Sequence, residues 1–441
     1  MALNIIWIAF FVIAFVVALF KLVFLGDTEI FKLLADGLFD SAKSSVIDVA
    51  FPLAGTMVFF LGLMNIAEKA GAIQKLAKWM NPFLSRLFPE VPQNHPAMGQ
   101  MVMNFSANML GLDNAATPFG LKAMESLQSL NPEKEKATNA QIMFLVLHTS
   151  GLTVIPLTII SYRLAAGSQD AASIFIPCVL ATIGTTLASI VMVGLYQKLK
   201  WDRVLISWLL GLVILMGSVL FAVNSLTPVQ KELFSKIAGS SILMGIVVAI
   251  ILGGAYKKVS VFDAFIEGAK NGFDVIVKII PYLVAMLVAI RVFRDSGAMV
   301  YVLNGLTFLI QLTGINTEFV GALPVAIMKP LSGSGARGMM LDIFQTQGPD
   351  SFVGKLASIF QGSADTTFYI IALYKFIKLY KILPLWIKVC LRIVTIAPFT
   401  LLILMNPTIG QVESTISGPH GDNTLGMSLA LIPIYYLIIK L

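Results

Sequence analysis

The chain has 441 residues, 57% of them hydrophobic and 12% charged, with a formal net charge of +7. A water-soluble domain of this composition would expose far too much apolar surface, so the sequence reads as an all-α polytopic membrane protein with no sizeable soluble domain. The cations are scattered among short loops, which makes them a topology signal and excludes nucleic acid as a partner; no P-loop, HExxH or Cys/His spacing is present, so no enzyme, cofactor or metal centre is expected.

In chain order, residues 3–25 lack a basic leader and a small-residue cleavage site and are predicted to be a retained span. Residues 27–45 carry Lys32, Asp36, Asp40 and Lys43 on one helical face and apolar residues on the other, the pattern of a helix lying along the membrane surface. A crossing over 46–67 follows, and then 68–98, too charged to span and too apolar for a free loop. Residues 104–120 (NFSANMLGLDNAATPFG) place amides, a carboxylate and glycines inside hydrophobic sequence, which an ordinary membrane helix does not do. The span over 140–162 is broken midway by HTSG at His148 and by Pro156. Further spans are predicted over 171–196, 204–223 and 240–256. Cys178 and Cys390 lie in apolar segments and read as buried thiols.

The same succession of parts then starts again. VFDAFIEGAKN at 261–271 answers LADGLFDSAKS at 34–44, with Asp263 matching Asp36, Glu267 matching Asp40 and Lys270 matching Lys43. PYLVAM at Pro281 answers PLAGTM at Pro52, and RDSGAM at 294–299 answers EKAGAI at 68–73. SGSGARG at 332–338 answers NAATPFG, and QGSADT at 361–366 answers HTSGLT at 148–153. Matches kept in one order indicate a duplication. If each glycine-rich break is the tip of a re-entrant hairpin, an odd number of crossings separates the copies and the repeat is inverted. Lys69, Lys75, Lys78, Arg86, Lys134, Lys136, Lys198, Lys200, Arg203, Lys257, Lys258, Lys375, Lys378 and Lys381 then fall on one side, which is cytoplasmic, while the lysine- and arginine-free loop at 406–423 falls on the other. Both termini are expected in the cytoplasm, with a last span over 424–441.

Broken backbone at membrane depth must face protein or a water-filled cavity, because its freed amides and carbonyls find no partner in lipid. Half-helix N-termini suit anionic groups and freed carbonyls suit cations. The candidate solute-binding residues are therefore Asn104, Asn108, Asn114, Thr117, His148, Ser150, Ser332, Ser334, Arg337, Gln361 and Ser363, and the candidate ion-coupling residues are Asp113, Asp365, Thr153 and Thr366. Blander roles stand beside these: helix-to-helix hydrogen bonds for the asparagines, serines and threonines, an N-cap for Asp113, a packed imidazole for His148, and an Arg337–Asp365 pair that serves only itself.

The run from FPLAGTMVFFLGLMNIAEKAG through LFPEVPQNHPAMGQMVMNFSANMLGLDNAATPFGLKAM to HTSGLTVIP resembles spore maturation protein A. The run from GAKNGFDVIVKIIPYLVAMLVAIRVFRDSGAM through LPVAIMKPLSGSGARGMM to GSADTTFYIIALY resembles spore maturation protein B. Both belong to the group with the nucleoside recognition (gate) domain, which is shared with concentrative nucleoside transporters and the membrane part of ferrous iron transport protein B. The resemblance implies a transporter-like fold with two hairpins and two broken helices, and leaves the substrate open. The expected organisation is an N-terminal transmembrane helix (1–27), an A-like gate repeat (28–200), linking helices (201–257), a B-like gate repeat (258–405), and a periplasmic loop with a last helix (406–441), giving about ten transmembrane helices plus two re-entrant hairpins. The leading functional expectation is a multi-pass transporter of the bacterial cytoplasmic (inner) membrane, moving a small polar, anionic or zwitterionic solute with H+ or Na+. A non-transporting scaffold or regulator of envelope processes and a lipid-handling protein are the alternatives, and homo-oligomers through the linking spans are expected.

Overall fold

The computed structural model describes residues 2–365 apart from 93, 111–112, 134–136 and 313–315. Every described regular element is helical. Six helical segments are long and apolar enough to cross a membrane: Asn4–Leu25, Ile30–Lys69, Ala171–Tyr196, Arg203–Ala222, Ile237–Tyr256 and Val261–Asp295. The protein is thus an all-α, multi-helix membrane protein. About ten spans were expected; six are found among the described residues. The difference has a physical cause in the first copy, whose broken span consists of halves of 12 and 9 residues, each well short of about 30 Å of hydrocarbon at 1.5 Å per residue. The expected last span lies outside the described residues, as does Cys390.

Helix α1 (Ala2–Leu25) is followed by α2 (Ile30–Ser44), a π-helical turn (Ser45–Ala50) and α3 (Phe51–Lys69). The surface helix and the crossing expected as two elements are one continuous helix. Pro52, at the start of α3, has no amide to give the preceding turn, and the π turn just before it relaxes the resulting mismatch. Then come α4 (Ala72–Leu87), α5 (Pro96–Met109), α6 (Asp113–Leu130), α7 (Asn139–Ser150), α8 (Leu157–Ala165), a 3-10 turn (Ala171–Ile174) and α9 (Phe175–Tyr196). The linking helices are α10 (Arg203–Asn224) and α11 (Pro228–Tyr256). The latter begins well before the predicted start at 240, because Thr227 and Gln230 form a reciprocal cap around Pro228.

The second copy contains α12 (Val261–Asp295), α13 (Ala298–Gln311), a 3-10 turn (Glu318–Ala322), α14 (Leu323–Leu331), α15 (Gly333–Gln347) and α16 (Phe352–Gly362). Its order repeats that of the first. Even a small detail recurs: Gly71 before α4 and Gly297 before α13 both take left-handed backbone, with φ of 80° and 89°, which glycine adopts without steric cost.

The long helices of the two copies, α3 and α12, pack along one another at the centre. Glycines allow it. A Cβ on Gly62 would lie 2.6 Å from the Phe265 ring, one on Gly268 would lie 2.5 Å from the Leu61 carbonyl oxygen, and one on Gly272 would lie 2.7 Å from the Val58 Cα. Gly268 and Gly272 form a GxxxG pair, the arrangement that lets membrane helices approach to backbone contact. Around this pair, α1 and α2 lie on α12, while α8 and α11 lie on α3. One large apolar cluster joins residues of both copies, from Leu53 and Phe60 to Met286, Met340 and Phe360.

Candidate functional site

The break of the first copy is built by two sequence signals. Gly151 ends α7 in left-handed backbone (φ 57°, ψ 48°), and Pro156 prevents the helix from resuming before Leu157. His148, Thr149 and Ser150 form the last turn of α7, and all three are buried. In the second copy α16 ends at Gly362, followed by Ser363 and Asp365. The two breaks meet. The Asp365 amide donates to the Thr149 carbonyl at 2.9 Å, and the His148 Nε2 stands 3.9 Å from an Asp365 carboxylate oxygen. A Cβ on Gly151 would come within 3.2 Å of the Asp365 nitrogen, so this glycine supplies both the backbone turn and the room for the second break.

Each hairpin is tied to the break of its own copy. In the first, α5 and α6 pack together, the Asn104 amide donates to the Ala116 carbonyl at 2.7 Å, and the Met109 carbonyl at the end of α5 accepts from the Val154 amide at 2.9 Å. In the second, α14 and α15 are separated only by extended Ser332, whose hydroxyl accepts from the Gly335 amide at 3.0 Å and lies 3.1 Å from the Ser334 hydroxyl. The Gln361 amide reaches the Gly333 carbonyl at 3.4 Å.

Arg337 sits one turn into α15, its guanidinium 5.2 Å above the Tyr162 ring of α8. The blander alternative of an Arg337–Asp365 pair is not what the structure shows: Arg337 lies over the Tyr162 ring, and His148 stands beside Asp365. Gln361 Oε1, in the second break, and Asn104 Oδ1, in the first hairpin, are buried with no hydrogen-bond partner among the described residues. Buried polar groups are normally satisfied, and leaving one without a partner costs about 1–3 kcal/mol, so each of these oxygens points to a ligand or water.

The structure thus gathers His148, Ser150, Gln361, Ser363 and Asp365 at one junction, with Ser332, Ser334 and Arg337 adjoining through Gly333. Thr153 instead turns back on its own loop, donating to the Gly151 carbonyl at 2.9 Å. Asn108 is half-buried at the end of α5. The side chains of Asp113, Asn114 and Thr117, and all of Thr366, lie outside the described residues.

Two groups of residues were missed in the sequence reading. Thr182, Thr185, Thr186 and Ser189 of α9 are all buried. The Thr186 hydroxyl lies 3.1 Å from that of Ser150, and the Thr182 and Thr185 hydroxyls donate to the Thr153 and Ser363 carbonyls at 3.1 and 3.4 Å. Their helical spacing in an apolar span was the available signal. The other group is Arg163, fully buried on α8. It donates to Asp350 at 2.7 Å, to the Pro349 carbonyl at 2.5 Å and to the Asp170 carbonyl at 3.3 Å. Asp350 also accepts from the Ser168 hydroxyl at 2.6 Å and the Gln169 amide at 2.8 Å. Burial of this loop carboxylate opposes ionisation, yet these donors and Arg163 together hold it below the usual carboxylate range.

Comparison with known proteins agrees with this division. The gate family described as nucleoside recognition matches residues 50–166 and 276–378, two stretches that contain the two hairpins and the two breaks. Spore maturation protein A of Bacillus subtilis (strain 168) is 39% identical over 189 residues, 43% of this chain and 92% of the relative. Spore maturation protein B of the same organism is 46% identical over 129 residues, 29% of this chain and 71% of the relative. No solved structure matches the chain.

Proposed function

The chain belongs to the nucleoside-recognition gate family, joining in one polypeptide a half homologous to spore maturation protein A and a half homologous to spore maturation protein B, and from this premise we propose that it is a secondary transporter of a small polar solute. The solute is anionic or zwitterionic, and its movement across the bacterial cytoplasmic membrane is coupled to H+ or Na+. Family membership also agrees with the expectation that the chain is not an enzyme.

The observation that carries the reading is the meeting of the two breaks beside unpartnered buried polar atoms. Arg337 and the start of α15 supply positive potential for an anionic group. Asn104, Asn108, Asn114 and Thr117 of the first hairpin, Ser332 and Ser334 of the second, and His148, Ser150, Gln361 and Ser363 of the breaks supply hydrogen bonds to the solute. Asp365, with Asp113, Thr153 and Thr366, holds the coupling ion. The copies are inverted in the membrane with both termini cytoplasmic, and they move against one another about this junction; the recurring element order and the central α3–α12 pair support that arrangement.

The test is uptake into proteoliposomes of nucleosides, amino acids and small carboxylates, with and without Na+ and pH gradients, together with thermal stabilisation by the same compounds. A solute at a hundred times its Kd stabilises the folded state by about 2.7 kcal/mol. Uptake that is lost in Arg337→Ala and uncoupled from the gradient in Asp365→Asn is expected. Absence of uptake and of stabilisation for every class, with both variants as stable as the parent, would favour a scaffold.

A further inference from the structure

A second concavity lies away from the junction. It is a cavity of about 550 Å³ between α3, α8, the chain at 168–172 and α11. Its walls are apolar, with Phe60 from α3, Leu164 from α8, and Leu243 and Met244 from α11. Leu164 and Met244 are 43% and 63% exposed, so the trough opens sideways, toward the lipid that surrounds α11. Water does not fill an apolar trough of this kind, because each molecule needs two to four polar partners. A hydrocarbon chain does.

One end of the trough is polar. Ser168, Gln169 and Asp170 line it, and no lysine or arginine does. The nearest cation is Arg163, which is wholly buried and already bonded to Asp350 and to the Asp170 carbonyl. The Asp170 carboxylate feels Arg163 only at longer range, the direct ion pair of that guanidinium being with Asp350. Arg163 and Lys355 both act on Asp350 behind the wall, so Asp170 is the charged residue that the trough itself presents. The opposite end of the Ala171–Tyr196 span carries Lys198, Lys200 and Arg203, so an anionic headgroup finds cations at the far end and none in the lining of the trough.

We propose that the trough is a binding site for one phospholipid whose headgroup carries a primary ammonium group, an acyl chain lying along Phe60, Leu164, Leu243 and Met244 and the ammonium pairing with Asp170. The occupant rests on the 168–170 loop, which holds Arg163 and through it the second copy at Asp350. The lipid therefore steadies the contact between copies. The site is independent of the transport reading and stands or falls separately.

The full chain, purified in mild detergent and exposed to vesicles of equal phosphatidylethanolamine and phosphatidylglycerol, is re-extracted and its retained lipid identified by native mass spectrometry. The parent is expected to keep one phosphatidylethanolamine in preference to phosphatidylglycerol. Asp170→Asn should lower that preference about fivefold, the scale of one half-exposed ion pair. Gly55→Leu, at a lining position where an added Cβ meets nothing within 4 Å, should fill the trough and abolish retention of both lipids while eluting as the parent does. Should Gly55→Leu not elute as the parent does, Thr56→Leu in the same wall is read instead. Equal retention of the two lipids by the parent, or undiminished retention by the filled variant, overturns the proposal.

Discussion

The span Ala171–Tyr196 and the linking spans Arg203–Ala222 and Ile237–Tyr256 are alike in length and apolar character, yet 72% of the first is buried and 11% of each of the others. Hydrophobicity does not separate them, because lipid tails are as apolar as leucine and give a helix no reason to prefer the protein interior. Small residues do not separate them either, since Ile237–Tyr256 holds four glycines; what differs is the partners of their hydroxyls. The first span sets Thr182, Thr185, Thr186 and Ser189 on one face, and three of the four bond to atoms of the two breaks or their flanks. In the linking spans Ser207 and Ser218 only turn back on their own helix carbonyls. An inner helix is thus marked by what it can hydrogen-bond beyond itself.

Glycines give the largest test of the difference between inner and linking helices. In the central pair Gly268 faces the Leu61 carbonyl so closely that an added Cβ has no room, whereas Gly245 on α11 has nothing within 4 Å. Gly268→Ala should push α12 from α3 and cost about 3 kcal/mol, the upper end of ordinary overpacking. Gly245→Ala should do the opposite and add up to about 1 kcal/mol through helix propensity. Unfolding of the purified variants in detergent reads both. Shifts of the same sign would mean that the central contact is looser than described.

The Arg163–Asp350 tie comes next in size. Asp350→Asn leaves a buried guanidinium without its counter-charge and should cost about 2 kcal/mol, less than a wholly buried pair because Asp350 keeps 34% of its side chain exposed. The pH dependence has a definite sign. Because the folded carboxyl titrates below its ordinary value, its stabilisation is present above the unfolded pKa of about 4 and is lost as pH falls through the folded one. The variant should therefore show a flatter stability profile below about pH 4 than the parent. Parallel acid profiles would show that this carboxylate contributes nothing.

These contrasts also mark how much the sequence made legible. The two hairpins, the two breaks and the duplicated order were readable because each leaves a local mark: Gly151 and Pro156 in one span, SGSG before Arg337, and matched runs around Asp36 and Asp263. The continuity of Ile30–Lys69 was not readable, since the charged face of α2 and the apolar α3 look like separate elements and only the π turn joins them. Arg163 and Asp350 lie 187 residues apart, a separation across which one sequence carries no pairing signal. The nearness of His148 to Asp365 was not readable for the same reason. Arg337 is the stronger charge, but α15 directs it onto the Tyr162 ring, while the left-handed turn at Gly151 brings His148 to Asp365.

The smallest effect bears most directly on the opening contrast. Thr185 donates to the Ala181 carbonyl at 2.6 Å and to the Ser363 carbonyl at 3.4 Å, so Thr185→Val keeps the shape and removes a hydroxyl shared between α9 and the second break. Ser218→Ala removes a hydroxyl that donates to its own helix carbonyl at Leu215. A net hydrogen bond contributes about 1 kcal/mol, so Thr185→Val should destabilise by roughly that amount and Ser218→Ala by a few tenths at most. If polar anchoring is what draws the Ala171–Tyr196 span inward, amide exchange near Ser363 should also quicken in Thr185→Val, and it should not change in Ser218→Ala. Equal effects of the two would return the burial of α9 to packing alone, and the hydroxyl face would then be a consequence of being inside rather than its cause.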